Sequence, residues 1–333
     1  MDVGCAVAAL RGGGRTDEVD GVAVHRAASW GTLLSQPLAP SLPALVRRTA
    51  ADLLHLHHPN VLGDVAALAD GRRRPLVVTQ HSDVVRQRAA WPLYGPLVRR
   101  ALAAARLVAI GSEQLLRTSR ELRGFEAKTR VIPFGIPPER FTRTAAVEAR
   151  VVELKARWGG EPVVLAVGRM VGYKGLDVLL RAASGLEARV VLVGDGPEAP
   201  RLRSLAGPRV EFAGRVPDAD LAAYYHAADV FCLPSVSVAE AFGIVLLEAM
   251  ACGLPLVTTA LPTGVSAVNR DGVTGISVPP GDAPALAEAL RALLTDGARR
   301  EACGAAARSV LEAEYTAALM GERYLRLYRE ALG

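Results

Sequence analysis

Two acidic residues, Glu240 and Glu248, lie eight positions apart in the segment VAEAFGIVLLEAMACG, residues 238–253. Gly243 is predicted to begin a helix that runs to about Ala251, and the first N–H groups of a helix have no partner inside it. Such free N–H groups can hold a phosphate. Glu248 follows within that helix among apolar residues, where an unpaired carboxylate would be costly. Because a carboxylate suits the vicinal hydroxyls of a sugar, the segment predicts a site for phosphate and sugar hydroxyl groups.

A second candidate site is the turn in AVGRMVGYKGLDVLL, residues 166–180. A predicted strand ends at Gly168, and Arg169, Lys174 and Gly175 precede a predicted helix. Two cations beside a helix N-terminus make a good anion site, because the helix dipole and the free N–H groups add to the side-chain charges. Two solvated loop cations are the alternative interpretation.

Two further turns carry weaker signals. LVGDGPEAPRL (192–202) is a strand–Gly–helix turn of a common type, and FAGRVPDADLAAYY (212–225) has a helix start near Pro217 and Asp218. The second turn could line a base pocket through backbone atoms, or it could serve only to turn the chain.

The candidate residues follow short apolar segments that alternate with helical patterns. The predicted strands are 52–58, 75–81, 106–112 and 129–135, then 162–168, 188–194, 209–214, 229–234 and 255–259. Helical spacing occurs over 97–105 and 113–122, and a Pro/Gly break at 135–141 separates the two series of strands. This alternation predicts an α/β protein with two doubly wound domains of parallel strands. Ligands of such sheets bind at the carboxyl ends of the strands, where the candidate turns lie.

Length and composition limit the classes of protein that need to be considered. The 333 residues exceed the size of most single hydrophobic cores, so two domains are expected. No apolar stretch is long enough to span a bilayer, and the N-terminal segment lacks the basic start and cleavage pattern of a signal peptide. The four cysteines are scattered without a CxxC motif, which indicates a reducing cytoplasm and argues against structural zinc.

Charge is distributed unevenly along the chain. Residues 1–150 contain 21 Lys and Arg against 13 Asp and Glu, whereas the remainder contains 18 against 21. A basic first half indicates an anionic partner. A general abundance of Arg is the alternative explanation.

The ordered motifs of the second half are similar to those of retaining glycosyltransferases of family 4. They are VIPFGIPPERF, GRMVGYKG, LVGDGPE, FAGRVPDADLAAYYHAADVFCLPS, EAFGIVLLEAMACGLPLV and DGVTGISVPPGD. The resemblance covers roughly residues 15–333 and implies the GT-B fold, in which two Rossmann-like doubly wound domains face a central cleft. It implies an acceptor-side domain at 1–142, a nucleotide-sugar-binding domain at 143–312, and a C-terminal helix at 313–333 that packs back on the first domain.

The resemblance also implies roles for individual residues of the second domain. Arg169 and Lys174 would clamp the diphosphate of a sugar nucleotide, and Glu240 would face the transferred sugar. Glu248 would bind the ribose hydroxyls. The remaining donor-binding residues would be Gly168, Phe242, Gly243, Ile244 and Val245 around the phosphates and Arg215 and Val216 near the base.

In the first domain the resemblance gives His81 a catalytic position facing the transferred sugar or the acceptor. A structural hydrogen bond is the alternative for a histidine at a strand end. His58 and Asn60 are expected on the acceptor side. A metal site formed by His55, His57 and His58 is not expected, because alternate side chains of a strand point to opposite faces.

The implied reaction needs no metal ion and no cofactor. Arg169, Lys174 and a helix N-terminus would stabilise the charge on the departing nucleoside diphosphate. The DAD sequence at 218–220 is predicted to begin a helix rather than to bind a metal. Retention of anomeric configuration implies that the acceptor attacks from the face that the phosphate leaves and that the phosphate helps to take the proton.

The N-terminal segment departs from the family pattern. Family members begin with an apolar strand, a Gly-Gly turn and a helix, whereas RGGGR (11–15) is followed by the strand-like EVDGVAVHRA. We expect that the first strand, turn and helix are absent and that this chain starts late relative to the working protein. The alternatives are that CAVAAL fills the gap or that this form is poorly active.

The leading functional hypothesis is transfer of a hexose from GDP-mannose or a UDP-sugar to a lipid-linked or polysaccharide acceptor in the cytoplasm. The basic first domain, with GRRRP (71–75), Arg99 and Arg100, would rest on anionic lipid at the inner face of the plasma membrane. No nucleic acid partner is expected. The alternatives are a catalytically impaired nucleotide-sugar-binding subunit and a sugar-nucleotide epimerase or phosphorylase on the same fold.

Overall fold

The structure is a computed structural model of the chain and describes residues 2–9, 11–33, 36–71, 74–83 and 91–333. The chain divides into two units. Unit 1 consists of Met1–Gly111, Leu116–Ile132 and Arg323–Gly333, and unit 2 consists of Ser112–Leu115 and Pro133–Glu322. The main boundaries between the two units thus lie after residues 132 and 322. The boundaries expected from the sequence lie after residues 142 and 312.

Unit 1 is built from short strands and helices that alternate after residue 41. Its strands are β1 (Gly4–Ala8), β2 (Arg15–Val19), β3 (Val22–Ala27), β4 (Thr32–Leu33), β5 (Gln36–Pro37), β6 (Leu54–His58), β7 (Leu76–Gln80), β8 (Leu107–Ile110) and β9 (Thr129–Val131). The helices along this part of the chain are α1 (Leu42–Arg48), α2 (Val61–Leu68), α3 (Trp91–Ala104) and α4 (Glu113–Thr118).

The strands of unit 1 form two larger sheets and a short ribbon. In the first sheet β3 lies between β1, which runs parallel to it, and β2, with which it forms an antiparallel hairpin. The second sheet is parallel, in the order β6-β7-β8-β9. Every residue of β7 and β8 is buried, because helices cover both faces of a parallel sheet.

Unit 2 has one larger sheet and most of the helices. Its strands are β10 (Val163–Val167), β11 (Arg189–Val193), β12 (Val210–Gly214), β13 (Val230–Leu233), β14 (Leu256–Thr259) and β15 (Gly275–Val278). Its helices are α5 (Ala145–Arg157), α6 (Leu176–Ala183), α7 (Ala199–Leu205), α8 (Asp218–Ala227), α9 (Ile244–Ala251), α10 (Gly264–Val268), α11 (Ala283–Thr295) and α12 (Gly297–Glu314). Helix α13 (Ala317–Leu332) begins in unit 2 and ends in unit 1.

The sheet of unit 2 is parallel throughout and carries a hydrophobic core on each face. The strand order is β12-β11-β10-β13-β14-β15. Successive residues of β10 point into different cores. Leu165 packs with residues of α5, α8 and α9, whereas Val164 packs with residues of α6, α7 and α11. This arrangement is the doubly wound architecture that the alternating sequence pattern predicts.

Most elements lie where the sequence pattern predicts them. Each of the nine predicted strands contains an observed strand, and the strand-like segment after RGGGR lies in the hairpin of β2 and β3. The sequence pattern did not identify β15, whose sequence GISV includes a glycine, a residue depleted in strands. Within the described part of the chain, no helix combines the length and the apolar character that a membrane span requires.

Candidate functional site

The order of strands in unit 2 creates a crevice near the middle of its sheet. The chain passes from β10 to β11 and β12 on one side and then returns to β13, β14 and β15 on the other. Strand order therefore reverses between β10 and β13, and ligands of open parallel sheets bind at the carboxyl ends of strands at such a point. Gly168 and Arg169 follow β10 directly, and Glu240 lies in the segment between β13 and α9.

Backbone contacts hold the loops at this edge of the sheet. The Val236 N–H donates to the Tyr173 carbonyl oxygen at 2.8 Å, which joins the loop after β13 to the loop after β10. Gly175 makes this approach possible, because a Cβ there would lie 2.1 Å from the Pro234 carbonyl oxygen and its φ is +63°. The side chains on both loops are therefore presented from fixed positions.

Lys174 and Glu240 form an ion pair at this edge. Lys174 Nζ lies 2.6 Å from Glu240 Oε2, and the two side chains are only 11% and 9% exposed. The Ser235 hydroxyl donates to the same carboxylate oxygen at 2.9 Å, and Thr259 Oγ1 donates to the Ser235 carbonyl oxygen. The two residues given separate roles in the sequence analysis are thus direct partners, and Ser235 is a contributor that the sequence analysis missed.

Arg169 is exposed beside this pair. A small cavity of about 10 Å³, roughly the volume of a water molecule, is lined by Gly168, Arg169 and Lys174 together with residues of β13. In the described residues Arg169 has no ion pair and no side-chain hydrogen bond, so its guanidinium retains its full set of five donors. This arrangement can receive an anion.

Helix α9 begins near the same edge. Its N-cap is Gly243, which has φ +79°, and no side chain caps the helix start. The preceding residue, Phe242, is buried and its ring packs against those of Phe134 and Tyr315. Ile244 is 46% exposed and Val245 is half-buried, so the first turn of α9 lies at the surface of the unit. Its free N–H groups are suited to bind a phosphate.

Glu248 in α9 has a partner that was not predicted from the sequence. The buried phenol of Tyr225 in α8 donates to Glu248 Oε2 at 2.6 Å. Burial raises the pKa of Glu248, and the hydrogen bond from Tyr225 acts in the opposite direction. The other oxygen, Oε1, has no hydrogen-bond partner among the described residues and remains free to accept from a ligand.

Arg215 and Val216 follow β12, two strands away from β10. Arg215 is exposed, and Val216 is half-buried against the core that contains α8. The next residue is Pro217, the N-cap of α8, so the predicted DAD sequence does begin a helix. Arg140 and Asp218 form an exposed ion pair at 3.1 Å at the start of α8.

In unit 1 the three predicted residues, His81, His58 and Asn60, line one cavity of about 380 Å³. His81 Nε2 lies 2.9 Å from His57 Nδ1 with the two rings stacked. Burial and the neighbouring histidines hold the pKa of His81 to about 4 and that of His55 to about 3. These imidazoles are therefore neutral at neutral pH and can act as hydrogen-bond donors and acceptors.

His58 is buried in a separate polar network. Its Nδ1 lies 2.6 Å from Gln80 Oε1, and its Nε2 lies 3.0 Å from the Tyr94 hydroxyl and 3.2 Å from Asp64. Burial opposes the charged form of His58, but the contact with Asp64 prevails and raises its pKa. Asn60 caps α2 by accepting from the Gly63 N–H at 2.9 Å. Both residues therefore have structural bonds as well as a place on the cavity wall.

The basic stretch GRRRP is not a uniform cationic surface. Arg72 and Arg73 lie outside the described residues. Arg74 is 6% exposed, pairs with Asp70 at 2.8 Å and donates to the carbonyl oxygens of Val46 and Thr49. The prediction that Arg74 meets a lipid surface is wrong, because its guanidinium is buried and donates to these groups instead. Arg99 and Arg100 in α3 are exposed.

No group of three or more His, Cys, Asp and Glu side chains within the described ranges could hold a metal ion. The histidines of β6 illustrate the reason. The rings of His55 and His57 lie 4.5 Å apart, whereas His58 bonds to Gln80 and Tyr94 in the network above.

Comparison with known proteins identifies the family. Residues 153–310 match the glycosyl transferases group 1, and residues 2–140 match glycosyltransferase family 4. The chain is 36% identical over 303 residues to a D-rhamnosyltransferase, WbpZ, of Pseudomonas aeruginosa, covering 89% of this chain and 79% of that protein. It is 33% identical to an O-antigen chain mannosyltransferase C of Escherichia coli (84% and 76% covered) and 32% identical to a phosphatidyl-myo-inositol mannosyltransferase of Mycobacterium leprae (90% and 79% covered).

Solved structures agree on the fold. HepE of Anabaena, solved with UDP and glucose, matches with a TM-score of 0.77 at 22% identity over 93% of this chain and 86% of that chain. Sucrose-phosphate synthase of Thermosynechococcus elongatus matches with a TM-score of 0.80 at 25% identity over 98% and 88%. The predicted GT-B fold is confirmed, and the chain belongs to the group 1 glycosyltransferases of family 4.

Proposed function

We propose that this glycosyltransferase moves a hexose from a nucleotide sugar to a lipid-linked or polysaccharide acceptor, with retention of anomeric configuration and without a metal ion. The observation that carries the proposal is the exposed Arg169, which has no ion pair within the described part of the chain, beside the Lys174–Glu240 ion pair at the point where strand order reverses. A nucleoside diphosphate is the leaving group, and its negative charge must be stabilised as the glycosidic bond breaks.

Arg169 and Lys174 supply that stabilisation. A lysine ammonium has three donors, so Lys174 keeps its contact with Glu240 and donates its remaining protons to phosphate oxygens. Glu240 fixes the ammonium and faces the transferred sugar. Arg169 contributes a planar guanidinium suited to bidentate contact with a phosphate.

The start of α9 binds the distal phosphate. The N-cap Gly243 and the first helical residues Ile244 and Val245 offer backbone N–H groups, and the helix dipole favours an anion there. Glu248 Oε1 accepts from the ribose hydroxyls, while Gly168, Phe242, Arg215 and Val216 complete the donor site. Fixed cations and helix N–H groups replace the metal ion that other transferases use.

The acceptor binds in the histidine-lined cavity of unit 1. His81 offers a neutral imidazole there, which suits hydroxyl groups, and His58 and Asn60 form part of the cavity wall. In the retaining reaction the departing phosphate takes the proton of the attacking hydroxyl, so His81 is required to orient groups rather than to act as the base.

The names of relatives support the classes of donor and acceptor. Mannosyltransferases acting on an O-antigen chain and on phosphatidyl-myo-inositol are among the proteins that match most of the chain. HepE was solved with UDP and glucose. GDP-mannose and a UDP-hexose are therefore the donors to test, with a lipid-linked or glycan acceptor.

We further propose that the enzyme works in the cytoplasm against an anionic membrane surface, with the exposed Arg99 and Arg100 of α3 contributing to attachment. Replacing both by glutamate should weaken binding to phosphatidylserine-containing vesicles, since each basic residue near such a surface contributes about 1 kcal/mol. Co-sedimentation at low and high salt measures this. Binding of the wild-type protein that is insensitive to salt would contradict the electrostatic attachment.

A donor screen tests the proposed function directly. Thermal shift with GDP, UDP, GDP-mannose and UDP-glucose should raise the Tm for one nucleotide class, because a ligand that binds only the folded protein stabilises it. Transfer from that donor to a polyprenyl-linked or oligosaccharide acceptor, followed by NMR of the product, reports the anomeric configuration. EDTA should leave the rate unchanged.

The same experiment separates the alternatives. Binding of a nucleotide sugar without hydrolysis or transfer would favour a non-catalytic subunit, and interconversion of the donor without an acceptor would favour an epimerase. A product of inverted configuration would contradict the retaining mechanism.

A further inference from the structure

Tyr225 is buried beneath Glu248 and is held there by aromatic packing. The residue is fully buried, with its ring centroid 5.9 Å from that of Phe141 in an edge-on contact and 5.6 Å from that of Phe231. Rings packed in this way have little freedom to move. The position of the phenolic oxygen is therefore determined by the core of unit 2.

The phenol has one strong acceptor. It donates to Glu248 Oε2 at 2.6 Å, while the Val245 carbonyl oxygen is the more distant contact at 3.5 Å. A hydrogen bond from a neutral donor to a carboxylate is short and strong compared with a neutral pair. It fixes one oxygen of a side chain that would otherwise sample several rotamers.

We infer that Tyr225 is a positioning residue for the nucleotide: its hydroxyl holds Glu248 Oε2 and so orients Oε1 toward the ribose hydroxyls. The inference rests on the proposed function, because it needs Glu248 to bind ribose. Tyr225 itself does not contact the ligand. It acts through Glu248, and its effect disappears when either Glu248 or the ribose hydroxyl is removed.

The groups around Glu248 set the direction of a pH effect. Tyr225 of α8 and Arg140 favour the ionised form of Glu248, whereas burial and Asp218 disfavour it. Cys252 lies at the end of the same helix, and burial raises its pKa to about 12, so it stays neutral. Loss of the Tyr225 hydroxyl removes one of the two groups that favour the carboxylate.

The test compares Tyr225→Phe with Tyr224→Phe, which removes a phenolic hydroxyl from the adjacent buried residue of the same helix. Isothermal titration with GDP and UDP identifies the nucleotide that the wild-type protein binds. Tyr225→Phe should raise its Kd about threefold to tenfold, and Tyr224→Phe should leave it unchanged. The maximal transfer rate should change less than the affinity, because the residue acts on binding.

Two further arms establish that Tyr225 acts through Glu248. The effect of Tyr225→Phe should vanish in a Glu248→Ala background and with the matching 2′,3′-dideoxynucleotide. Loss of the hydroxyl raises the pKa of Glu248. As pH is lowered, the affinity of Tyr225→Phe for the ribonucleotide should therefore begin to fall at a higher pH than the affinity of the wild type does. An equal Kd for Tyr225→Phe and wild type, or an equal loss with the dideoxynucleotide, would overturn the inference alone.

The titration of the wild-type protein would give a different result if the proposed function itself were wrong. If the wild-type protein binds neither GDP nor UDP, both the donor site and the role of Tyr225 are wrong. Circular dichroism and Tm of the two Phe variants distinguish a binding effect from loss of the fold.

Discussion

The candidate residues of the two units differ in charge. In unit 2 they are ionic: Lys174 and Glu240 are paired, and Arg169 is exposed. In unit 1 the stacked imidazoles of His57 and His81 have lowered pKa values and are neutral. Lys174 and Glu240 are nearly buried and yet ionic, whereas His57 is exposed and His81 half-buried. The difference therefore does not arise from burial alone.

The difference in charge between the two sets of residues follows from the groups that neighbour them. A buried charge is tolerated when an opposite charge and hydrogen bonds compensate it, as Lys174 and Ser235 do for Glu240. Burial is the largest cause of the lowered pKa of His81, and the neighbouring histidines oppose its protonation further. His58 contacts Asp64, and its pKa is raised instead. This contrast supports the proposal that unit 2 binds a phosphate and that the His57–His81 pair of unit 1 binds uncharged hydroxyl groups.

Among the variants that test this comparison, Lys174→Ala should have the largest effect on activity. Loss of a donor that stabilises the leaving group should lower kcat by about 100-fold to 1,000-fold. The change also leaves Glu240 buried without its cation, so some stability is lost. The double variant Lys174→Met with Glu240→Gln, which removes both charges, should recover Tm without recovering kcat. Near-normal transfer by Lys174→Ala would remove the leaving-group role.

Arg169→Ala should lower kcat/KM about 100-fold, because an exposed guanidinium that contacts phosphate contributes to catalysis and little to folding. Arg291→Ala is the matched control, since Arg291 is an exposed residue of α11 near Gly185, at the opposite edge of the sheet. Steady-state kinetics and Tm of the two variants give the comparison. Equal kinetics for both would show that Arg169 is only a solvated cation.

Glu248→Gln should have a smaller effect, confined to binding. Replacing the carboxylate weakens hydrogen bonds from the ribose, so the KM for the donor should rise about tenfold with little change in kcat. A 2′-deoxy or 3′-deoxy donor should show the same loss with the wild-type enzyme. If kcat fell and KM did not change, Glu248 would act on the reaction itself.

The neutral histidines predict a pH dependence of stability. His81 binds a proton in the unfolded chain below about pH 6.5, but in the folded protein only near pH 4. Between these values the unfolded state holds more protons, so stability falls as pH is lowered. His81→Gln should flatten this slope by up to about 1 kcal/mol per pH unit. Calorimetry from pH 7 to about pH 4 measures it, and an unchanged slope would contradict a neutral, half-buried His81.

The sequence predicted the framework of unit 2 well. The end of β10 just before Gly168, the end of β12 at Gly214 and the start of α9 after Gly243 follow from local features, because apolar runs are closed by glycine and the helix begins next to a glycine. Strand ends and helix starts of this kind depend on a few neighbouring residues, so the local sequence pattern is enough to predict them.

The pairing of side chains could not be read from the same patterns. Lys174 and Glu240 are far apart in sequence, as are Tyr225 and Glu248, and each pair meets only because β10, β13 and α8 are neighbours in the fold. Arg74 was misassigned for the same reason, since the carbonyl oxygens that bind it belong to residues 46 and 49. Side-chain partners at long sequence separation are set by tertiary packing.

We propose that unit 2 holds the diphosphate of a nucleotide between Arg169, Lys174 and the start of α9. Isothermal titration of wild type and Arg169→Ala with GDP and UDP, and with guanosine and uridine, tests it most directly. We expect one diphosphate to bind the wild type far more tightly than its nucleoside, and to lose at least about tenfold in affinity with Arg169→Ala. Equal affinity for nucleoside and diphosphate, or no loss in the variant, would contradict the claim.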